Sequence, residues 1–133
     1  MRYVLDASVA VAFLRPTEAL HGRAVAFVSP ILTGTHTLVV PSIFGVEVTA
    51  ALARASFPRE KIRRFVGAFL VRSTVVTLGP IGMRNAARVA EVTRLRGMDA
   101  IYVWVAQREE IPLVTFDRDV AVRATGACEV IHP

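Results

Sequence analysis

Five acidic residues stand where a chain could gather them for chemistry. Asp6 ends the apolar run Arg2-Tyr-Val-Leu-Asp6-Ala-Ser8, and Asp117 ends a second, Pro112-Leu-Val-Thr115-Phe-Asp117. Asp99 opens a helical stretch in Arg96-Gly97-Met98-Asp99-Ala100, and Asp119 follows Asp117 by two residues; the chain has no other aspartate. Glu47 lies in Ser42-Ile-Phe-Gly-Val-Glu47-Val-Thr-Ala-Ala-Leu-Ala, a helix apolar on nearly every side and expected to be mostly buried. A carboxylate there must face a cavity, a partner or a metal, because an unpaired buried charge is expensive. Carboxylates held together raise one another's pKa unless a cation joins them. Mg2+ takes such oxygen donors, keeps several waters, and supports phosphodiester hydrolysis. Ser8 and Thr115 each lie two residues from an acid, where a hydroxyl can orient a carboxylate. Each aspartate alone has a plainer use as a helix cap, and Asp119 fits the first turn of a helix.

These positions depend on the elements around them. Strand-like runs are expected at Arg2 to Leu5, Thr37 to Val40, Thr74 to Leu78, Leu113 to Phe116 and Cys128 to Ile131. Helical patterns alternate with them: Ala7 to Leu14, Thr17 to Val28, Ser42 to Ala55 with Ser42 as cap, Pro58 to Arg72, Ile81 to Arg96, Asp99 to Glu110 and Arg118 to Ala124. Ser29 to His36 reads as a loop rich in turn formers. The alternation predicts an α/β fold with a central parallel sheet of four to five strands and helices on both faces. In such sheets the carboxyl ends of the strands share one edge with the helix N-termini, which would collect Asp6 and Asp117.

The 133 residues predict one domain, residues 1–133. Nearly all the positive charge is arginine, with Lys61 the only lysine, and the net charge of +5 favours an anionic partner. No apolar run is long enough to span a membrane. Cys128 is the only cysteine, and the start runs straight into a strand without signal-peptide shape, so a cytoplasmic location is expected. His21, His36 and His132 are isolated and offer no zinc spacing. Tyr102 and Trp104 lie on an apolar helix and are expected to pack in the core.

Taken in order, Asp6-Ala-Ser8, Pro41…Glu47, Arg96-Gly97-Met98-Asp99-Ala100-Ile-Tyr102 and Thr115-Phe-Asp117-Arg118-Asp119 resemble a PIN domain. The small size and the tail Leu113-Val-Thr-Phe-Asp-Arg-Asp resemble the VapC toxins of toxin–antitoxin pairs. The resemblance spans essentially the whole chain. It implies a Mg2+-dependent endoribonuclease, with Mn2+ as a substitute. Carried over by position, Asp6, Glu47, Asp99 and Asp117 are the catalytic and metal-binding set, with Ser8, Thr115 and Asp119 in support. Arg15, Arg96 and Arg118 are placed to grip RNA phosphates. A homodimer and a VapB-like antitoxin covering the acidic cleft are also implied. One position departs from the pattern: many relatives carry asparagine three residues after the helix glutamate, and here it is Ala50. The alternative is a catalytically weak PIN domain that binds RNA or protein. A receiver domain is excluded because no lysine follows the last strand, and a haloacid-dehalogenase-type phosphatase because Ser8 stands where a second aspartate is needed.

Overall fold

The computed structural model describes residues 1–133. Strand β1 (Arg2–Leu5) is followed by α1 (Ala7–Leu14) and α2 (His21–Leu32), and β2 (Thr37–Pro41) by α3 (Phe44–Arg54) and α4 (Arg59–Val71). Strand β3 (Ser73–Val76) leads to α5 (Pro80–Thr93) and α6 (Gly97–Glu109), and β4 (Leu113–Val114) to α7 (Arg118–Arg123) and β5 (Val130–Ile131). The strands form one sheet in the order β3-β2-β1-β4-β5, and every pairing is parallel. The α/β architecture expected from the alternating patterns is therefore the one observed.

Successive strand residues point to opposite faces of a sheet. Val4 and Leu5 of β1, and Leu38, Val39 and Val40 of β2, are all fully buried, so helices cover both faces. This is why these strands read as continuous apolar runs and not as alternations. No helix is long and apolar enough to cross a membrane.

The strand order sets where a site can form. From β1 the chain winds outward through β2 to β3, then returns across the sheet to place β4 on the other side of β1. The winding reverses between β1 and β4, and crevices open at the carboxyl ends of such strands. Register pairs Leu5 with Val114, and the Asp6 N–H donates to the Val114 carbonyl at 3.0 Å. Asp6 and Thr115 therefore leave the sheet side by side.

Several boundaries differ from expectation for physical reasons. Helix α2 begins at His21, not Thr17: Arg15 pairs with Glu18 at 2.7 Å, and a His21 ring nitrogen meets the Ala12 carbonyl at 2.9 Å, closing a turn first. The helix then runs through Ser29 and Pro30 to Leu32, where a loop was expected. Ile31 anchors it in the core, and the Pro30 carbonyl is satisfied by the Thr33 hydroxyl at 2.9 Å. Ser42 does not cap α3; its N–H extends the sheet by donating to Val76 at 2.9 Å, and Ile43 takes the cap position. Nor is α3 mostly buried. It hides Phe44, Val48 and Leu52 but leaves Val46 68% exposed.

Candidate active site

Asp6 stands at the N-cap of α1 but makes no capping bond with its side chain. Its Oδ2 accepts two hydroxyls instead, Ser8 Oγ at 2.6 Å and Thr115 Oγ1 at 2.7 Å. Both bind the same oxygen, so no side chain occupies Oδ1. Thr115 is fully buried and also accepts the Asp117 N–H at 3.0 Å, while Ser8 Oγ accepts the Phe116 N–H at 3.1 Å. The two hydroxyls thus tie the β1–α1 turn to the β4–α7 turn. Burial pushes the Asp6 carboxyl above its ordinary range; the hydroxyls oppose that, and the nearby Asp99 charge adds to it.

Glu47 projects from the first turn of α3. Burial raises its pKa, the Tyr102 hydroxyl works against that, and the charges of Asp6 and Asp99 add to it. Its Oε1 is buried without a hydrogen-bond partner, and so is the Tyr102 hydroxyl. The two groups stand close enough for the hydroxyl to favour the carboxylate, yet not in hydrogen-bond geometry. An orphaned acid oxygen of this kind calls for a missing partner.

Asp99 lies in the first turn of α6 and Asp117 at the N-cap of α7. Asp117 does cap: its Oδ1 accepts Asp119 N–H at 2.8 Å and Val120 N–H at 3.1 Å. Its Oδ2 turns the other way. Arg96 bridges the two acids, with Nε 2.9 Å from Asp99 Oδ2 and a terminal nitrogen 3.5 Å from Asp117 Oδ2. The sequence pattern placed Arg96 inside a helix ending there. Instead α5 stops at Thr93, Arg94 adopts the left-handed region at φ 57°, and Arg96 becomes the N-cap of α6.

The structure thus couples Asp6, Glu47 and Asp99 electrostatically and joins Asp117 to them through Arg96. No three carboxylates converge closely enough to enclose an ion by themselves. The donors are all hard oxygens, and one is orphaned. That set fits a Mg2+-like cation, which binds through one or two carboxylates and keeps several waters. Asp119 is not brought in: its carboxylate pairs with Arg123 at 2.7 Å on its own helix. Arg15 is held by Glu18, and Arg118 is exposed with no ion pair. A cleft of about 430 Å³ beside these acids is lined by Ser8, Glu47, Arg54, Phe116 and Asp117, among others. Sequence reasoning missed Arg54 as a cleft residue and the Tyr102 hydroxyl as a neighbour of Glu47. The spacing of Glu47 and Arg54, two turns apart on one helix, was the available signal for the first.

A model of the PIN domain matches residues 3–125. No curated protein matches the sequence. Several solved structures share the fold. PAE2754 of Pyrobaculum aerophilum is 23% identical with a TM-score of 0.71, over 98% of this chain and 83% of that one. VapC20 of Mycobacterium tuberculosis, a sarcin-ricin loop cleaving toxin, is 18% identical with a TM-score of 0.69, over 90% and 93%. A chain of a toxin–antitoxin complex from Klebsiella pneumoniae is 15% identical with a TM-score of 0.71, over 98% and 97%.

Proposed function

The chain belongs to the PIN domain family, and from that premise we propose that it is a metal-dependent endoribonuclease of the VapC toxin type. The observation that supports this most is Asp6: a buried carboxylate at the switch point, oriented by Ser8 and Thr115 through one oxygen, beside an orphaned Glu47. Such organised acid is costly to fold around and is explained by chemistry at that spot.

Asp6 and Asp99 are the residues best placed to hold a Mg2+ or Mn2+ ion, with Glu47 and Asp117 completing its surroundings. The cation would supply charge for the scissile phosphate and lower the pKa of a water. Ser8 and Thr115 hold Asp6 through its Oδ2, so the carboxylate need not reorganise. Glu47, whose proton affinity burial has raised, takes the proton of the attacking water. The water oxygen bonds to phosphorus as the bond to the 3′-oxygen breaks, and that oxygen takes a proton from solvent, leaving a 5′-phosphate and a 3′-hydroxyl. Arg96, Arg118 and the cleft-lining Arg54 offer guanidinium groups for flanking phosphates. A second copy of the chain and an antitoxin segment that covers the cleft complete the assembly.

One observation favours a different reading. The four carboxylates do not enclose an ion unaided, and an arginine already bridges two of them. That pattern would suit a PIN domain that binds RNA or protein without cutting. Incubation of the purified protein with tRNA, mRNA and single-stranded DNA, in Mg2+ or in EDTA, separates the two. Mg2+-dependent cleavage that Asp6→Asn abolishes supports the nuclease. Equal cleavage by Asp6→Asn sinks the mechanism, and RNA binding without cleavage identifies the binding module.

A further inference from the structure

Arg96 is mostly exposed, with 78% of its side chain accessible, yet it is not free to roam. The turn that presents it is pinned. Thr93 Oγ1 donates to the Val89 carbonyl at 2.7 Å and accepts the Leu95 N–H at 3.4 Å, and Leu95 is itself buried. Arg96 then enters α6 in extended geometry, three residues before Asp99. From there its guanidinium reaches two acids on different elements, one at the start of α6 and one after β4. It contacts the Asp99 oxygen at 2.9 Å and the Asp117 oxygen that is not committed to capping α7 at 3.5 Å. It also offsets the charges around Glu47. These are the acids that the proposed function assigns to a divalent cation.

We infer that Arg96 is a tethered counter-cation: its guanidinium neutralises Asp99 and Asp117 in the metal-free protein, and a divalent cation must displace it to load. Two consequences follow from charge alone. Arg96 weakens divalent binding, because its two ion pairs are lost on loading. Once displaced, it carries its positive charge on a short tether beside the cleft, where a phosphate replaces the carboxylates as its partner. A guanidinium fork suits either partner, bidentate in shape and always charged. Loading of the cation and gripping of RNA are thereby linked through one side chain.

This inference rests on the metal-binding role of the acids, and the test keeps the two apart. Mn2+ is titrated calorimetrically into wild type, Arg96→Gln, Arg96→Lys, Arg54→Gln and Asp99→Asn. Ion pairs with one partner in solvent translate to a gain of about two- to tenfold in Mn2+ affinity for Arg96→Gln. Arg96→Lys should fall between wild type and Arg96→Gln, keeping the charge but losing the fork. Arg54→Gln removes an equal charge from the cleft wall without breaking an ion pair, and should change affinity less than Arg96→Gln does. If wild type binds Mn2+, Asp99→Asn weakens it, and Arg96→Gln binds no tighter than wild type, the counter-cation role is overturned while the metal site stands. If neither wild type nor Arg96→Gln binds Mn2+, both fail. Because Arg96 lies on the surface, unchanged thermal melting of Arg96→Gln will show that any gain is not a folding effect.

Discussion

Two of the concavities on this molecule differ sharply in chemistry, and the larger of the pair is not where Asp6, Glu47 and Asp117 lie. A groove of about 830 Å³ runs between α5 and α6, lined by Ile81, Asn85, Arg88, Val92, Trp104 and Arg108 among others, with no acid among its lining residues. The acidic cleft is about half that size, at roughly 430 Å³. The groove lies where α5 packs on the outer side of the largely buried helix α6. Gly82 lets the half-buried Trp104 ring close in, a Cβ there falling 3.0 Å from it, and the Arg108 guanidinium lies over the ring at 5.7 Å from its centroid. The cleft exists because the winding of the sheet reverses between β1 and β4. Space is left wherever packing is incomplete, whereas Asp6 and Asp117 meet because β1 and β4 end side by side. Volume is therefore a poor guide to chemistry in this fold.

The widest separation between the two regions should appear in Asp6→Asn. We expect RNA cleavage in Mg2+ to fall at least about a hundredfold, on the scale of removing a metal-site group. Its melting temperature should not fall, because burial disfavours the charge that the substitution removes. Trp104→Ala in the groove should do the reverse. It should lose about 2–4 kcal/mol in urea denaturation, below the full range for a buried tryptophan because the ring is half exposed. The folded fraction should still cleave within about threefold of wild type. Equal losses of cleavage in the two variants would erase the distinction.

Thr115→Val tests how far the cleft depends on its supporting bonds. It removes one hydroxyl from Asp6 Oδ2 and orphans the Asp117 N–H. We expect a ten- to hundredfold loss of cleavage and about 1–2 kcal/mol of stability.

The pH dependence of the metal-free protein comes next. Asp6 and Glu47 both have folded-state pKa values above the ordinary carboxylate values of an unfolded chain. Their contribution to stability is fully present below that ordinary range and is lost as pH rises through the raised values. The metal-free protein should therefore melt higher near pH 5 than these two groups allow at pH 8. Added Mn2+ should raise the melting temperature more at pH 8, where the carboxylates are ionised, than at pH 5. A larger shift at pH 5 would contradict the assignment. The smallest effect is expected for Asp119→Asn, which breaks only an exposed pair with Arg123. Stability should move by less than about 0.5 kcal/mol and cleavage should not change measurably.

Much of the fold was legible because its signals are local. β1 and α1 begin and end where the apolar run and the helical pattern do, at Arg2–Leu5 and Ala7–Leu14. The misread segments are those where a distant group intervened. Ser42 looked like a cap and became a sheet donor to Val76. The helix ending near Arg96 stopped at Thr93, because Arg94 turned left-handed and Leu95 found the core. The helix of Glu47, apolar on nearly every side, looked mostly buried, but apolar composition does not say which side a neighbour covers.

The amino-acid sequence by itself determined the alternation of strands and helices, and with it the candidates Asp6, Glu47, Asp99 and Asp117. Hydrophobic period and capping chemistry act over a few residues and need no tertiary contact. Only the tertiary structure decided how those acids are used. Asp6 is oriented by a threonine 109 residues away. Asp117 divides its two oxygens between a cap and Arg96, Asp119 is drawn off by Arg123, and Glu47 is left with an orphaned oxygen beside Tyr102. The Asp117 cap and the Asp119–Arg123 pair are local; the other outcomes depend on strand order and on the angle at which a helix leaves the sheet, and on those the spacing of residue types is silent.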